Sequence, residues 1–273
     1  MITKNKRPQI LLTNDDGIKS PGLWAAAQAL SKLGFVTIAA PREQSSATGR
    51  SLPITSDGRI LPTQLMIGDQ EWTTYSIGGT PAQAVLHAVM EIMPEPPDLV
   101  VSGINYGENI GDSITISGTV GAALEGAALG IPAIAASLEL DNEDYLGYSE
   151  TVDFSTAAHF VQKFARLLLE HRMPADVQVL KIDVPHNATP ATPWHITSLA
   201  KYRYYFPEVR RNGSLQENGY IGGKQRLQPN AVAPGTDVHV LAIDRAVSVT
   251  PLSLDMTSRV DLRQLEQDIQ AKF

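Results

Sequence analysis

Apolar runs and helix-spaced apolar positions take turns along the first two thirds of this chain. Gln9 to Thr13 is a short buried-type run that predicts a strand. Pro21-Gly22 leads into Leu23–Leu30, spaced for a helix and closed by Gly34. Phe35 to Ala40 predicts the next strand, ended by Pro41 and followed by a polar loop over 42–51. Residues 52–77 read as short antiparallel strands, with Asp57-Gly58 and Gly68-Asp69 as turns. Thr80 as cap and Pro81 at the first position open a helix to about Met93. Asp98 to Ser102 predicts a central strand bounded by Pro96-Pro97 and Gly103, and a Gly-rich loop spans 103–118. A small-residue helix over Thr119–Leu129, a strand over Ile131–Leu138, a helix over Thr151–His171 and a strand over Val177–Val184 follow. Such alternation predicts a mostly parallel sheet with helices on both faces, a Rossmann-like three-layer α/β/α core.

After Pro185 the pattern changes. Residues 186–235 are rich in Pro, Gly, Asn and aromatics, with Tyr202, Tyr204, Tyr205, Phe206 and Tyr220 close together. They predict extended arms rather than another βαβ unit, with tyrosines that pack internally or against a second subunit. Val260 to Lys272 fits a short amphipathic helix. The expected division is a catalytic core over 1–185 and an arm with returning strands and a terminal helix over 186–273, one structural domain in all.

Composition narrows the function classes. A net charge of −7 without a long basic run argues against a stable nucleic-acid complex or an anionic membrane surface. The chain has no cysteine, which removes disulfides, thiolate metal sites and cysteine nucleophiles. No apolar run is long enough to span a bilayer, and the polar start lacks a signal peptide's apolar core. The expectation is a soluble, cytoplasmic protein.

The chemistry concentrates in three loops at the carboxyl ends of predicted strands, where open α/β sheets bind ligands. The first carries the adjacent carboxylates Asp15 and Asp16, which repel one another unless a cation, a shared proton or solvent relieves them. Hard oxygen donors of this kind suit Mg²⁺ or Mn²⁺, although Asn-Asp-Asp-Gly is also an ordinary turn sequence. The second loop offers Ser45, Ser46 and Thr48 as neutral oxygens, with Arg42 and Arg50 as candidate anion contacts. The third follows the central strand: Asn105 offers a carbonyl ligand to a metal, Asn105 and Asn109 are candidate phosphate contacts with Asn109 auxiliary, and Ser117-Gly118-Thr119 opens a helix able to hold a phosphate. The six histidines show no paired metal spacing, and dinucleotide, P-loop and Gly-x-Ser-x-Gly motifs are missing from the sequence.

Taken together these segments resemble the SurE (survival protein E) family of metal-dependent 5′/3′-nucleotidases. The resemblance rests on Thr13-Asn14-Asp15-Asp16-Gly17, Ala40-Pro41, Gly79-Thr80-Pro81, Val101-Ser102-Gly103-Ile104-Asn105 and Ser117-Gly118-Thr119-Val120. It continues through Asp183-Val184-Pro185, Gly235-Thr236-Asp237 and Val249-Thr250-Pro251-Leu252. It implies one divalent metal per subunit on Asp15, Asp16, Ser46 and Asn105, with phosphate on Ser117, Gly118 and Thr119. It also implies an extended hairpin and tail that exchange between subunits of a homodimer or homotetramer. The implied reaction is hydrolysis of a nucleoside monophosphate, with Asp15 or Asp16 as base or nucleophile. Two positions depart from the family pattern: Ala47, where a glycine commonly follows the serine, and Tyr106, where a small residue is usual and whose bulk beside Asn105 would narrow the pocket. The alternative is a receiver-like Mg²⁺-binding signalling module, which also needs an aspartate after a central strand and a later lysine.

Overall fold

The computed structural model describes residues 7–67, 70–140 and 152–273. Its elements are β1 (Gln9–Thr13), α1 (Pro21–Leu30), β2 (Phe35–Pro41), β3 (Ile60–Ile67), β4 (Gln70–Ile77), α2 (Pro81–His87), β5 (Leu99–Tyr106) and α3 (Gly118–Ala128). They continue with β6 (Ala133–Leu138), α4 (Ser155–Glu170), β7 (Val179–Val184), β8 (Trp194–Ile196), β9 (Tyr205–Arg211) and β10 (Gly219–Gln225). The last are α5 (Asp237–Ala242), β11 (Val247–Leu252) and α6 (Leu262–Gln270).

One sheet carries the core, in the order β3-β4-β2-β1-β5-β6-β7-β11-β8. Strands β4, β2, β1, β5, β6 and β7 run parallel, whereas β3 and β11 join antiparallel at the two sides. Both faces are buried, so alternate residues of one strand enter different cores. Ile10 and Leu12 pack with α1 and α4, and Leu11 with α2 and α3. A smaller apolar cluster of Ile110, Ala200, Tyr204, Val232, Val238 and Leu241 lies at the root of the arm. From β1 the chain moves through α1 to β2 on one side, then returns through α2 to β5 on the other. That reversal opens a crevice at the carboxyl ends of β1 and β5, the usual place for a ligand in such sheets.

The predicted alternation matches the observed order, and the differences have local causes. Gly103 does not end the central strand. It takes a φ of 134° at a bulge where the register against β6 shifts between Ser102 and Asn105, and the strand resumes to Tyr106. A Cβ at Gly103 would lie 2.3 Å from the Ala136 carbonyl oxygen, so glycine here permits close strand approach rather than a stop. The 103–118 segment therefore holds strand as far as Tyr106, then a 3₁₀ turn over Gly111–Ile116, and α3 begins at Gly118. Residues 52–59 form no strand, leaving one hairpin over 60–77 whose Gly68-Asp69 turn lies outside the described residues. The helix expected from Thr151 begins at Ser155, whose N–H and hydroxyl both donate to Asp153. The Thr80–Gln83 pair forms a complete capping box, and α2 ends in a π turn over Ala88–Ile92.

Helix α1 lies directly against β5 because Gly22 has no side chain: a Cβ there would stand 2.1 Å from the Ile104 carbonyl oxygen. Gly22→Ala is expected to push α1 off the sheet and lower stability by roughly 1–3 kcal/mol, the usual cost of overpacking. Urea denaturation checks this; an unchanged midpoint would show that the backbone accommodates the methyl.

Candidate active site

Asn14 builds the turn on which the acidic pair sits. Its amide donates to the Gly17 carbonyl at 3.0 Å and its oxygen accepts the Gly17 N–H at 3.1 Å, while Gly17 takes a φ of 92°. The chain thus reverses just beyond β1, with both following carboxylates buried. The Asp15 carboxylate accepts the Thr119 hydroxyl at 2.5 Å, and the backbone N–H groups of Gly118 and Thr119 favour its charged form, so it sits on the N-terminus of α3. Asp16 accepts the Tyr106 N–H at 3.1 Å, and the Gln44 side chain favours its charged form. All three loops singled out in the sequence therefore touch the pair.

Glycines set how closely these loops pack. A Cβ on Gly118 would meet the Asp15 side chain at 2.7 Å and the Thr48 hydroxyl at 3.0 Å. One on Gly121 would meet the Gly49 carbonyl oxygen at 2.2 Å. The small face of α3 is thus the seat of the 42–51 loop, held further by Gly49 N–H to Ile116 O at 2.9 Å and Ser45 N–H to Asp15 O at 2.7 Å. Ser46 lies at the exposed part of that loop, next to Ala47 in the left-handed region with a φ of 59°. Arg42 and Arg50 are paired with carboxylates of the protein, Asp57 at 3.1 Å and Glu125 at 2.6 Å.

The other candidates divide. Asn105 is half-buried at the end of β5, its amide donating to the Gly107 carbonyl at 2.7 Å. Ser117 caps α3, accepting the Val120 N–H at 3.1 Å. Asn109 turns toward the sheet, donating its amide to the Ser137 hydroxyl at 2.8 Å and its backbone N–H to Asp183 at 2.8 Å. The Tyr106 ring lies edge-on to Phe154, 4.8 Å between centroids. Beneath the site the hydroxyls of Thr13 and Ser102, register partners at the ends of β1 and β5, are buried without a hydrogen-bond partner among the described residues.

The sequence reading missed the support beneath the third loop. Lys181, Asp183 and Asp237 are fully buried; the lysine pairs with Asp183 and, at 3.2 Å, with Asp237. The free acceptor positions of the two carboxylates take the N–H groups of Asn109, Gly111 at 3.0 Å and Ala200 at 2.9 Å. A charged cluster of this kind survives burial only when every oxygen is paired, which makes it a rigid fastener. Its carboxylates lie 74 and 126 residues from the N–H groups they hold in that loop, so although Asp183 and Asp237 stand in segments that carry the resemblance, no local pattern marks their pairing.

Electrostatics single out the acidic pair. Burial pushes the proton affinity of Asp15 up against the hydrogen bonds that lower it. Burial, and then the charge of Asp15, push Asp16 up to about 8. No group of three or more His, Cys, Asp or Glu suited to a metal occurs among the described residues. The donor set that fits is two carboxylates with neutral oxygens from Asn105 and the serine loop, and two adjacent buried carboxylates lack only positive charge. Such a set suits an oxygen-seeking ion that keeps part of its water. A separate cavity of about 790 Å³ lies at the opposite edge of the sheet, between the ends of α3 and α4, and contains none of these residues.

Two outcomes are expected. Ala47→Gly relieves a left-handed alanine and should raise stability by about 1 kcal/mol or less in urea denaturation; a lower midpoint would mean the loop does not carry that strain. A carboxyl raised from 3.8 to about 8 holds more protons folded than unfolded, so its stabilisation is full below the lower value and lost as pH rises through the upper. The chelator-treated protein should therefore lose stability between about pH 4 and about pH 8, with a flatter profile for Asp16→Asn. Identical profiles for the two proteins would remove Asp16 as the cause.

Comparison with known proteins follows the same geometry. Residues 10–205 match the family model of survival protein SurE. The chain is 44% identical over 262 residues to the 5′-nucleotidase SurE of Thermococcus gammatolerans, covering 94% of each. It is 41% identical over 270 residues to the 5′-nucleotidase SurE of Methanosarcina acetivorans, covering 95% of this chain and 97% of the relative. The crystal structure of the SurE protein from Aquifex aeolicus superposes with a TM-score of 0.74 at 31% identity, covering 97% of this chain and 99% of that one. With the acidic pair, the serine loop and the α3 terminus in the order that the family resemblance implied, the chain belongs to the SurE family.

Proposed function

We propose that this chain is a metal-dependent 5′-nucleotidase that hydrolyses a nucleoside monophosphate to nucleoside and phosphate. The observation that carries the reading is the docking of Asp15, with Asp16 next to it in the chain, on the N-terminus of α3. A phosphate on that terminus stands beside two carboxylates, so like charges meet unless a cation lies between them. Asp15, Asp16, Ser46 and Asn105 would hold one Mg²⁺ or Mn²⁺ per subunit, which neutralises phosphoryl charge and lowers the pKa of a nearby water. Ser117, Gly118 and Thr119 bind the phosphate through hydroxyls and helix N–H groups and stabilise charge on the transferring group. One member of the acidic pair acts as base or nucleophile, and Asn109 steadies the loop that carries Asn105. The nucleotidase names of the relatives support this substrate class. The receiver-like alternative finds no support, since β5 ends in Asn105-Tyr106 rather than a phospho-accepting aspartate.

Assembly and setting belong to the same reading. No helix among the described residues is long and apolar enough to cross a membrane. The hairpin of β9 and β10 leaves Val209, Leu215, Tyr220 and Ile221 exposed, and α6 leaves Leu262, Leu265 and Ile269 exposed. Apolar surfaces of this kind fit a homodimer or homotetramer built through the C-terminal arm. A cytoplasmic location accords with a chain that has no cysteine to oxidise.

The test is phosphate release from nucleoside monophosphates with Mg²⁺ or Mn²⁺, with and without chelator. Chelation and the double variant Asp15→Asn with Asp16→Asn should each abolish release, and Thr119→Val should lower kcat by about 10²-fold. Equal release by the wild type and the double variant would overturn the metal assignment.

A further inference from the structure

Glu108 is a buried carboxylate beside the site with no part in the chemistry above. Its Oε1 accepts the Tyr205 hydroxyl at 2.5 Å and the Gln225 amide at 2.8 Å. Tyr205 and Gln225 face each other at the root of the β9–β10 hairpin, where the arm leaves the core. The peptide group that joins Gly107 to Glu108 supplies the carbonyl that accepts the Asn105 amide at 2.7 Å. That peptide is a rigid plane, but the residue before it is a glycine at a φ of 97°, which by itself restrains the plane weakly. Its two flanks are held: the Gly107 N–H, in the preceding peptide, donates to the Leu138 carbonyl at 2.8 Å, and the Glu108 side chain that follows is gripped by the hairpin root.

We propose that Tyr205 and Gln225 are positioning residues for the metal-binding asparagine. They clamp Glu108, Glu108 fixes the 107–108 peptide plane, and the carbonyl of that plane sets the rotation of the Asn105 carboxamide. The amide's N–H end is thereby committed to Gly107, leaving its oxygen as the end that can meet a cation. The arm is thus coupled to the metal centre through four side chains and one peptide group, and whatever seats or displaces the hairpin root tunes metal affinity. This inference rests on the metal reading of Asp15 and Asn105.

The experiment measures Mn²⁺ binding directly on the full chain, by electron paramagnetic resonance, for the wild type, Tyr205→Phe, Glu108→Gln, Glu108→Ala and Asp15→Asn. Tyr205→Phe removes one hydroxyl and should weaken Mn²⁺ binding by about tenfold, the size expected when a supporting contact of a metal ligand is lost. Its oligomeric state should match the wild type, and excess Mn²⁺ should restore its kcat, which general damage to the fold would not permit. Glu108→Gln keeps an acceptor oxygen and should bind more tightly than Glu108→Ala. Wild-type affinity in Tyr205→Phe and Glu108→Gln, with binding lost in Asp15→Asn, would overturn the coupling while keeping the metal site. Wild-type affinity in Asp15→Asn would remove the metal site itself. Tyr205→Phe decides the matter even if Glu108→Ala fails to fold.

Discussion

The docking of the Asp15 carboxylate on the start of α3 is the interaction on which the rest of this site depends. A buried carboxylate needs hydrogen-bond donors, and a helix N-terminus supplies them already oriented. Thr119 adds a hydroxyl, and the missing side chain of Gly118 lets the two approach. Once β1 and α3 are tied in this way, the serine loop has one place to lie, against the Gly121 face of the same helix. Asp16 then reaches the backbone of Tyr106 at the end of β5. The arrangement accumulates negative charge where a phosphate would be held, and this is the physical ground for proposing a cation there.

A second layer of buried charge supports the first. Lys181, Asp183 and Asp237 fasten the loop after β5 from below, and Glu108 ties it to the hairpin from the side. Buried ionic groups add little net stability when fully paired, but they are costly to misplace. That asymmetry suits them to define one loop conformation. The same cluster holds Ala200 at the entry to the arm, so the loop and the arm share an anchor.

Much of this was legible from local pattern. Period and turn chemistry gave the strand and helix order, because each βα unit carries its own start and stop signals. The Asp15–Asp16 pair, the Asn105 loop and the Ser117 helix start were visible as polar residues at strand ends. Less legible was Gly103, whose role as a bulge rather than a stop depends on how near Ala136 lies. Arg42 and Arg50 read as candidate anion contacts, yet each is paired with a carboxylate of the chain, Asp57 at 15 residues and Glu125 at 75 residues away. Asn14 reads as a turn residue in isolation; its closure of the turn on Gly17 is what aims the pair.

By itself the sequence determined the layered α/β architecture, the polar residues at its strand ends, and the motifs that carry the family resemblance. These follow from side-chain type and short-range spacing, which act before the chain folds. Only the tertiary structure decided which polar groups are paired with one another and which face the site. It placed Asp15 on α3, turned Asn109 toward Ser137, buried Lys181 between two aspartates and joined Glu108 to the hairpin. Pairing of this kind links residues tens of positions apart, and its strength comes from burial, which no local stretch of sequence specifies.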